Sequence, residues 1–209
     1  MKKIHFAFLI VVVFALAAFA QEQVKQAKPK AQGRQETKAP AVAPEMEAYM
    51  KLASPNENHK LLEPFVGNWK AEVKIWNDPA TPPNVSAGTA AFRMIYDGRF
   101  LQGEFTGEYM GHPFNGMELM GYDNLQKKFI GFWVDSGSTW FMTSTGTVDK
   151  DGKRFRMAGT MTNPMTMKPE EYRDESTFET PDRIVSKSFS KASGGKEIQT
   201  MEIIYTRVK

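Results

Sequence analysis

From Gly67 to Val208 the chain alternates apolar and polar residues with a period of two, the spacing of a strand with one buried face. In Gly67–Trp76, Trp69, Ala71, Val73 and Ile75 fall on one face, and Lys70, Glu72 and Lys74 on the other. Thr89–Tyr96 repeats this through Phe92, Met94 and Tyr96, and Phe100–Met110 through Leu101, Phe105 and Tyr109. Phe114–Tyr122, Lys128–Asp135, Thr139–Val148, Arg154–Thr162, Glu171–Glu179, Arg183–Lys191 and Lys196–Val208 bring the set to ten. Asp97-Gly98, Asp123-Asn124, Asp151-Gly152 and Gly194-Gly195 are turn dipeptides between strands. Asp78–Ser86, with Pro79, Pro82 and Pro83, reads as a loop. Lys128–Asp135 is apolar on both faces, which predicts a central strand with core on one side and a cover or lumen on the other.

Sequential strands joined by short turns predict an up-and-down antiparallel meander. Ten such strands remove their exposed edges by closing into a barrel, so the expected class is all-β. Gly103, Gly107, Gly116, Gly131 and Gly159 supply the bends that closure needs.

Glu45–Leu62 is the one helical region. Met46, Tyr49, Met50 and Leu52 recur at near-helical spacing after Pro44, and Pro55 breaks the run. Asn56 or Asn58 is placed to cap a second short helix carrying Leu61 and Leu62. These helices are expected to cover the barrel's open end or its closing seam.

The N-terminus reads as an export signal. Met1-Lys2-Lys3 is basic, Ile4–Leu16 is apolar but too short to span a bilayer, and Ala18-Phe19-Ala20 predicts cleavage after Ala20. A retained anchor is the alternative. Residues 21–44 are rich in Gln, Lys, Ala and Pro and read as a disordered polar tether. The expected organisation is signal 1–20, tether 21–44, helical segment 45–62 and barrel 63–209, in the periplasm or outside the cell.

Charge refines that picture. Lys2 and Lys3, with Lys25, Lys28, Lys30, Arg34 and Lys38 against Glu22 and Glu36, carry five net positive charges, while the whole chain carries +3. Residues 45–209 are therefore net −2, and the folded part lacks the basic surface a nucleic-acid partner needs. The chain has no cysteine, which excludes thiol catalysis, thiolate zinc, iron–sulfur clusters and haem attached through cysteines. No stretch after the leader is long and apolar enough to span a membrane as a helix.

Several short runs carry a family resemblance. They are Leu61-Leu62-Glu63-Pro64-Phe65-Val66-Gly67-Asn68-Trp69, Asp97-Gly98-Arg99-Phe100-Leu101, Met110-Gly111-His112-Pro113-Phe114-Asn115-Gly116, Gly121-Tyr122-Asp123 and Phe129-Ile130-Gly131-Phe132-Trp133-Val134-Asp135. In this order they resemble the bacterial DUF1579 family over about residues 57–208. Gly67-Asn68-Trp69 is also similar to the Gly-x-Trp that opens calycin barrels. The resemblance implies a calycin-like barrel and brings no established activity or catalytic residues.

Candidate chemistry is sparse. No Gly-x-Ser-x-Gly elbow and no phosphate-binding glycine loop occurs, and a non-enzymatic role is expected. Trp69 is read as the plug of the closed end. His59 and His112 are the only histidines beyond the leader, too few for a zinc or iron site, although His112 suits a single axial haem contact. Met157, Met161, Met165 and Met167 are soft ligands of the kind Cu(I) takes, but the first two share a face with Phe155 and read as core. No cofactor is expected. The reading is a barrel that binds a small apolar or amphipathic ligand through Phe105, Met120, Phe132, Trp133, Trp140 and Met142. Polar anchors come from Glu104, Glu118, Asp135, Asp123 and Arg93, with Asp135 foremost. A filled barrel that binds a protein, and an enzyme with its site at the barrel mouth, are the alternatives.

Overall fold

In the structure, a computed structural model, residues 43–192 and 195–209 are described. The expected leader, the tether up to residue 42 and Gly194 of the last turn lie outside the described residues. The strands are β1 (Gly67–Ile75), β2 (Asn84–Ile95), β3 (Phe100–Tyr109), β4 (His112–Asp123) and β5 (Lys128–Asp135). They continue as β6 (Met142–Val148), β7 (Arg154–Asn163), β8 (Lys168–Thr180), β9 (Arg183–Ala192) and β10 (Ile198–Arg207). Each strand pairs antiparallel with its chain neighbours, and β1 pairs with β10 to close the barrel. The seam runs in unbroken register from Trp69↔Arg207 to Ile75↔Met201.

Most strand ends lie within about three residues of the sequence pattern, and two features depart from it further. β2 starts at Asn84 rather than Thr89, because Asn84–Ala87 pair with Ile75–Glu72 of β1. The loop stops at Pro83, whose ring nitrogen has no proton to give a ladder. The β2–β3 connection is longer than a two-residue hairpin, with Tyr96, Asp97 and Gly98 at φ of 50°, 55° and 80°.

One end of the barrel is filled. Leu62 and Trp69 are fully buried, surrounded by Phe65, Leu101, Met120, Phe129, Phe155, Phe178 and Ile184. The indole of Trp69 donates to the Phe65 carbonyl at 2.8 Å. Phe65 sits on a 3-10 turn (Glu63–Phe65) and packs its ring against Phe155 and Phe178 at centroid distances of 5.2 and 4.6 Å. Each such buried side chain contributes about 2 kcal/mol.

The helical region splits as the prolines dictate, into α1 (Pro44–Ala53) and α2 (Glu57–Lys60). Asn56 caps α2: its side chain accepts from the Asn58 amide at 2.9 Å, and its own amide donates to His59 Nδ1 at 3.0 Å. His59 is buried with its ring edge-on to Tyr122. Among the described residues before β1, α2 and the 3-10 turn cover the barrel, at its filled end. α1 buries nothing and leaves Met46, Tyr49, Met50 and Leu52 exposed, contrary to the expected cover. Leu62 and Phe65 take that place in the core instead. Asn124 ties down the segment after α1, donating to the carbonyls of Leu52 and Ser54 at 2.7 and 2.9 Å.

Candidate functional site

Buried Trp69, Leu101, Phe129 and Met157 fix which alternate residues point into the barrel, and the register carries that choice around the ring. Gly103 pairs with Glu118, which pairs with Trp133. Met157 pairs with Asp174, Asp174 with Ser188, and Ser188 with Met201. Glu118, Trp133, Asp174 and Ser188 therefore share the interior.

Above the filled end, many inward positions are small. Gly88, Gly116, Gly131 and Gly159 lie there, with Ser86, Ser144, Ser176, Ser186, Ser188 and Ser190. The larger inward side chains lie over glycines of the next strand. A Cβ on Gly116 would stand 2.3 Å from the Trp133 ring, one on Gly88 2.6 Å from Phe105, and one on Gly159 2.6 Å from the Tyr172 hydroxyl. The glycines expected to bend the barrel thus also let aromatic rings lie flat on its inner wall.

Two of the inward carboxyl groups in this half, Glu118 and Asp174, stand next to the filled end. Glu118 is held by β4 and Asp174 by β8, four strands apart, so the field between them passes through the lumen rather than along the sheet. Burial, and then the charge of Asp174, push the Glu118 carboxyl up to about 7. Burial also raises Asp174, against the opposing pull of Ser188 and Arg173. Tyr205 on β10 is pushed above the ordinary phenol range by burial and by both carboxylates. Tyr172 is raised to about 12 by burial and by Asp174, and its hydroxyl donates to the Thr143 carbonyl at 2.8 Å. Glu118 keeps some accessible surface although protein encloses it, as a side chain lining an internal space does. Its carboxyl has no hydrogen-bond or ion-pair partner among the described residues.

Nearer the rim the acids are engaged. Asp135 accepts from the Trp133 indole at 2.8 Å and from the Gly137 amide at 2.9 Å. Glu170 accepts from Asn163 at 2.5 Å and from the Ser190 hydroxyl.

The structure sorts the residues picked from the sequence. Phe105, Glu118, Trp133, Asp135 and Met142 point inward in the open half, and Met120 points inward within the filled core. Glu104 lies on the outer face, paired with Arg93 at 3.3 Å, and Asp123 caps the β4–β5 turn. Phe132 also faces out and stacks on Phe141 at 5.1 Å, while Trp140 stands half-exposed in the β5–β6 loop. Phe132 and Glu104 have the opposite parity to Trp133 and Phe105, and only the register decides between two apolar faces. His112 is exposed at the β3–β4 hairpin. Met157 is in the core while Met165 and Met167 stand at a hairpin tip, so the four thioethers do not share one place. Among the described residues no group of three metal-binding side chains forms.

Asp174, Tyr172, Ser188 and Tyr205 are absent from the sequence reading. Tyr172-Arg173-Asp174-Glu175-Ser176 is polar on both parities, so alternation is silent there. The signal that finds Tyr172 and Asp174 is Phe178, whose burial at the strand end fixes the inward parity of Ser176, Asp174 and Tyr172.

A family model described as "Protein of unknown function (DUF1579)" matches residues 54–207. Among solved structures, the chain is similar to an S-type phycobiliprotein lyase from Guillardia theta at 14% identity and a TM-score of 0.51, covering 77% of this chain and 98% of that one. It is also similar to Rv2717c from M. tuberculosis at 12% identity and a TM-score of 0.51, covering 75% of this chain and 100% of that one. At such identity the likeness is one of fold. No curated protein matches the chain.

Proposed function

We propose that this chain, which belongs to the DUF1579 family, is an exported, non-enzymatic barrel that holds a small apolar or amphipathic molecule in its lumen. The observation that carries the reading is Glu118: an enclosed, unpartnered carboxyl aimed into a half-barrel walled by glycine, serine and flat aromatic rings. A core that only needed filling would place a large apolar side chain there, because an unpaired buried charge is unfavourable. Trp133, Phe105 and Met142 supply apolar contact, and Asp135 fixes the plane of Trp133. The phycobiliprotein lyase adds the fold and no ligand. The export part rests on the leader pattern of residues 1–20.

A second reading, a protein-interaction module, has one observation in its favour. On the outer face Phe100, Leu119, Ile130 and Phe132 line an almost wholly apolar groove.

Native mass spectrometry of the gently purified protein separates the two. The expected result is a mass excess that organic solvent releases. A bare mass that persists after incubation with lipid extract favours the interaction module. Cell fractionation tests export, with the chain expected outside the cytoplasm and shortened by the leader.

A further inference from the structure

The charges in the lumen have one sign. Inward positions of the ten strands carry Glu118, Asp135, Glu170 and Asp174. The inward cations among the described residues sit at the two ends. Lys168 stands at the rim, and Arg207 is held against Trp69 by the carbonyls of Pro64, Val66 and Pro181 at the filled end. Arg173 follows the outward parity of β8 and pairs with Glu197 at 2.8 Å. No protein cation therefore meets Glu118 or Asp174 from within.

The same space is walled by rings that attract cations. Trp133 and Phe105 lie over Gly116 and Gly88, and the tip of Tyr172 reaches Gly159 and the Thr143 carbonyl. A carboxylate beside aromatic faces in a water-poor space suits an ammonium or another head with several N–H donors. It repels a fatty-acid carboxylate, whose charge would join two others of its own sign. We propose that the lumen selects a cationic amphiphile, with its N–H-bearing head held between Glu118 and Asp174 and its apolar part against Trp133 and Phe105. This rests on the lumen-binding reading above and names the ligand's charge.

Chain-matched probes test it. Calorimetric titrations of the purified protein at pH 8 would compare dodecylammonium, dodecanol and dodecanoate below micelle-forming concentrations. Dodecylammonium is expected to bind at least about tenfold more tightly than dodecanoate. E118Q and D174N, each checked for a native circular-dichroism spectrum, are expected to shrink that ratio, chiefly by weakening dodecylammonium relative to dodecanoate. Dodecanol binding with dodecanoate equal to or tighter than dodecylammonium overturns the charge selection alone. Binding of none of the three overturns both this inference and the lumen-binding reading. A preference for dodecylammonium that both variants keep overturns the assignment to Glu118 and Asp174.

Discussion

The Arg207 guanidinium lies 4.0 Å above the Trp69 ring, and the two residues are register partners across the β1–β10 seam. Gly67 makes room for this contact. A Cβ there would stand 2.6 Å from the guanidinium, and its φ of 133° is one that side chains rarely adopt. Gly67-Asn68-Trp69 is thus one half of a clasp, and the tenth strand supplies the other half.

Arg207→Ala removes the cation over the ring and leaves the carbonyls of Val66 and Pro64 without their donors at 2.6 and 2.7 Å. The expected loss is about 2–3 kcal/mol in a denaturant titration. Arg207→Lys keeps the charge without the planar fork and should recover less than half of it. Unchanged stability in Arg207→Ala would show that the seam closes without the clasp.

Glu118 makes stability depend on pH with a definite sign. Its folded value of about 7 lies above the ordinary carboxyl value of 4.5, so the folded state binds the proton more tightly. The contribution is full below about 4.5 and is lost as pH rises through about 7. Glu118→Gln, which removes the charge that Asp174 opposes, should gain about 1–3 kcal/mol over the natural chain at pH 8 and little at pH 4. Stability curves for the two proteins that run parallel from pH 4 to pH 8 would contradict this.

His59 acts in the opposite direction. Burial and the nearby charge of Arg99 depress it below 6.5, and its neutral ring accepts from the Asn56 amide. The stability it gives is present above about 6.5 and is lost as pH falls below that. His59→Gln should flatten the acid side of the stability profile. The His59 resonance, assigned by its loss in His59→Gln, titrating at or above 6.5 would rule the effect out.

Gly116→Ala places a methyl group where the Trp133 ring lies. The ring must move into the lumen, at a cost of about 1–3 kcal/mol for overpacking. Dodecanol affinity should fall with it, while the filled end keeps Trp69 and its neighbours in place. Retained affinity would locate the ligand away from Trp133.

Much of the barrel was legible in the sequence because period-two alternation, turn dipeptides and glycines all point the same way. The β5 span and a capping asparagine at 56 or 58 came from such local signals, and the structure gives the cap to Asn56. α1 shows the limit. Its apolar spacing is helical, yet whether that face is covered depends on what already fills the barrel end. The lumen was legible only in part. Trp133 and Asp135 stand on an apolar strand and draw notice, whereas Asp174 lies in a strand polar on both faces. Its direction follows from pairing with Met157, a long-range fact that no local pattern carries.

The central claim is that a ligand sits in the lumen, and fluorine NMR of the protein labelled with 5-fluorotryptophan tests it most directly. The chain has four tryptophans, and Trp133→Phe assigns the one that lines the open half. On titration with dodecylammonium the Trp133 resonance should shift, while Trp69, sealed in the filled end, should not. A shift confined to Trp140 on the outer loop, or no shift at all with dodecylammonium, dodecanol or dodecanoate, would contradict a ligand-holding lumen.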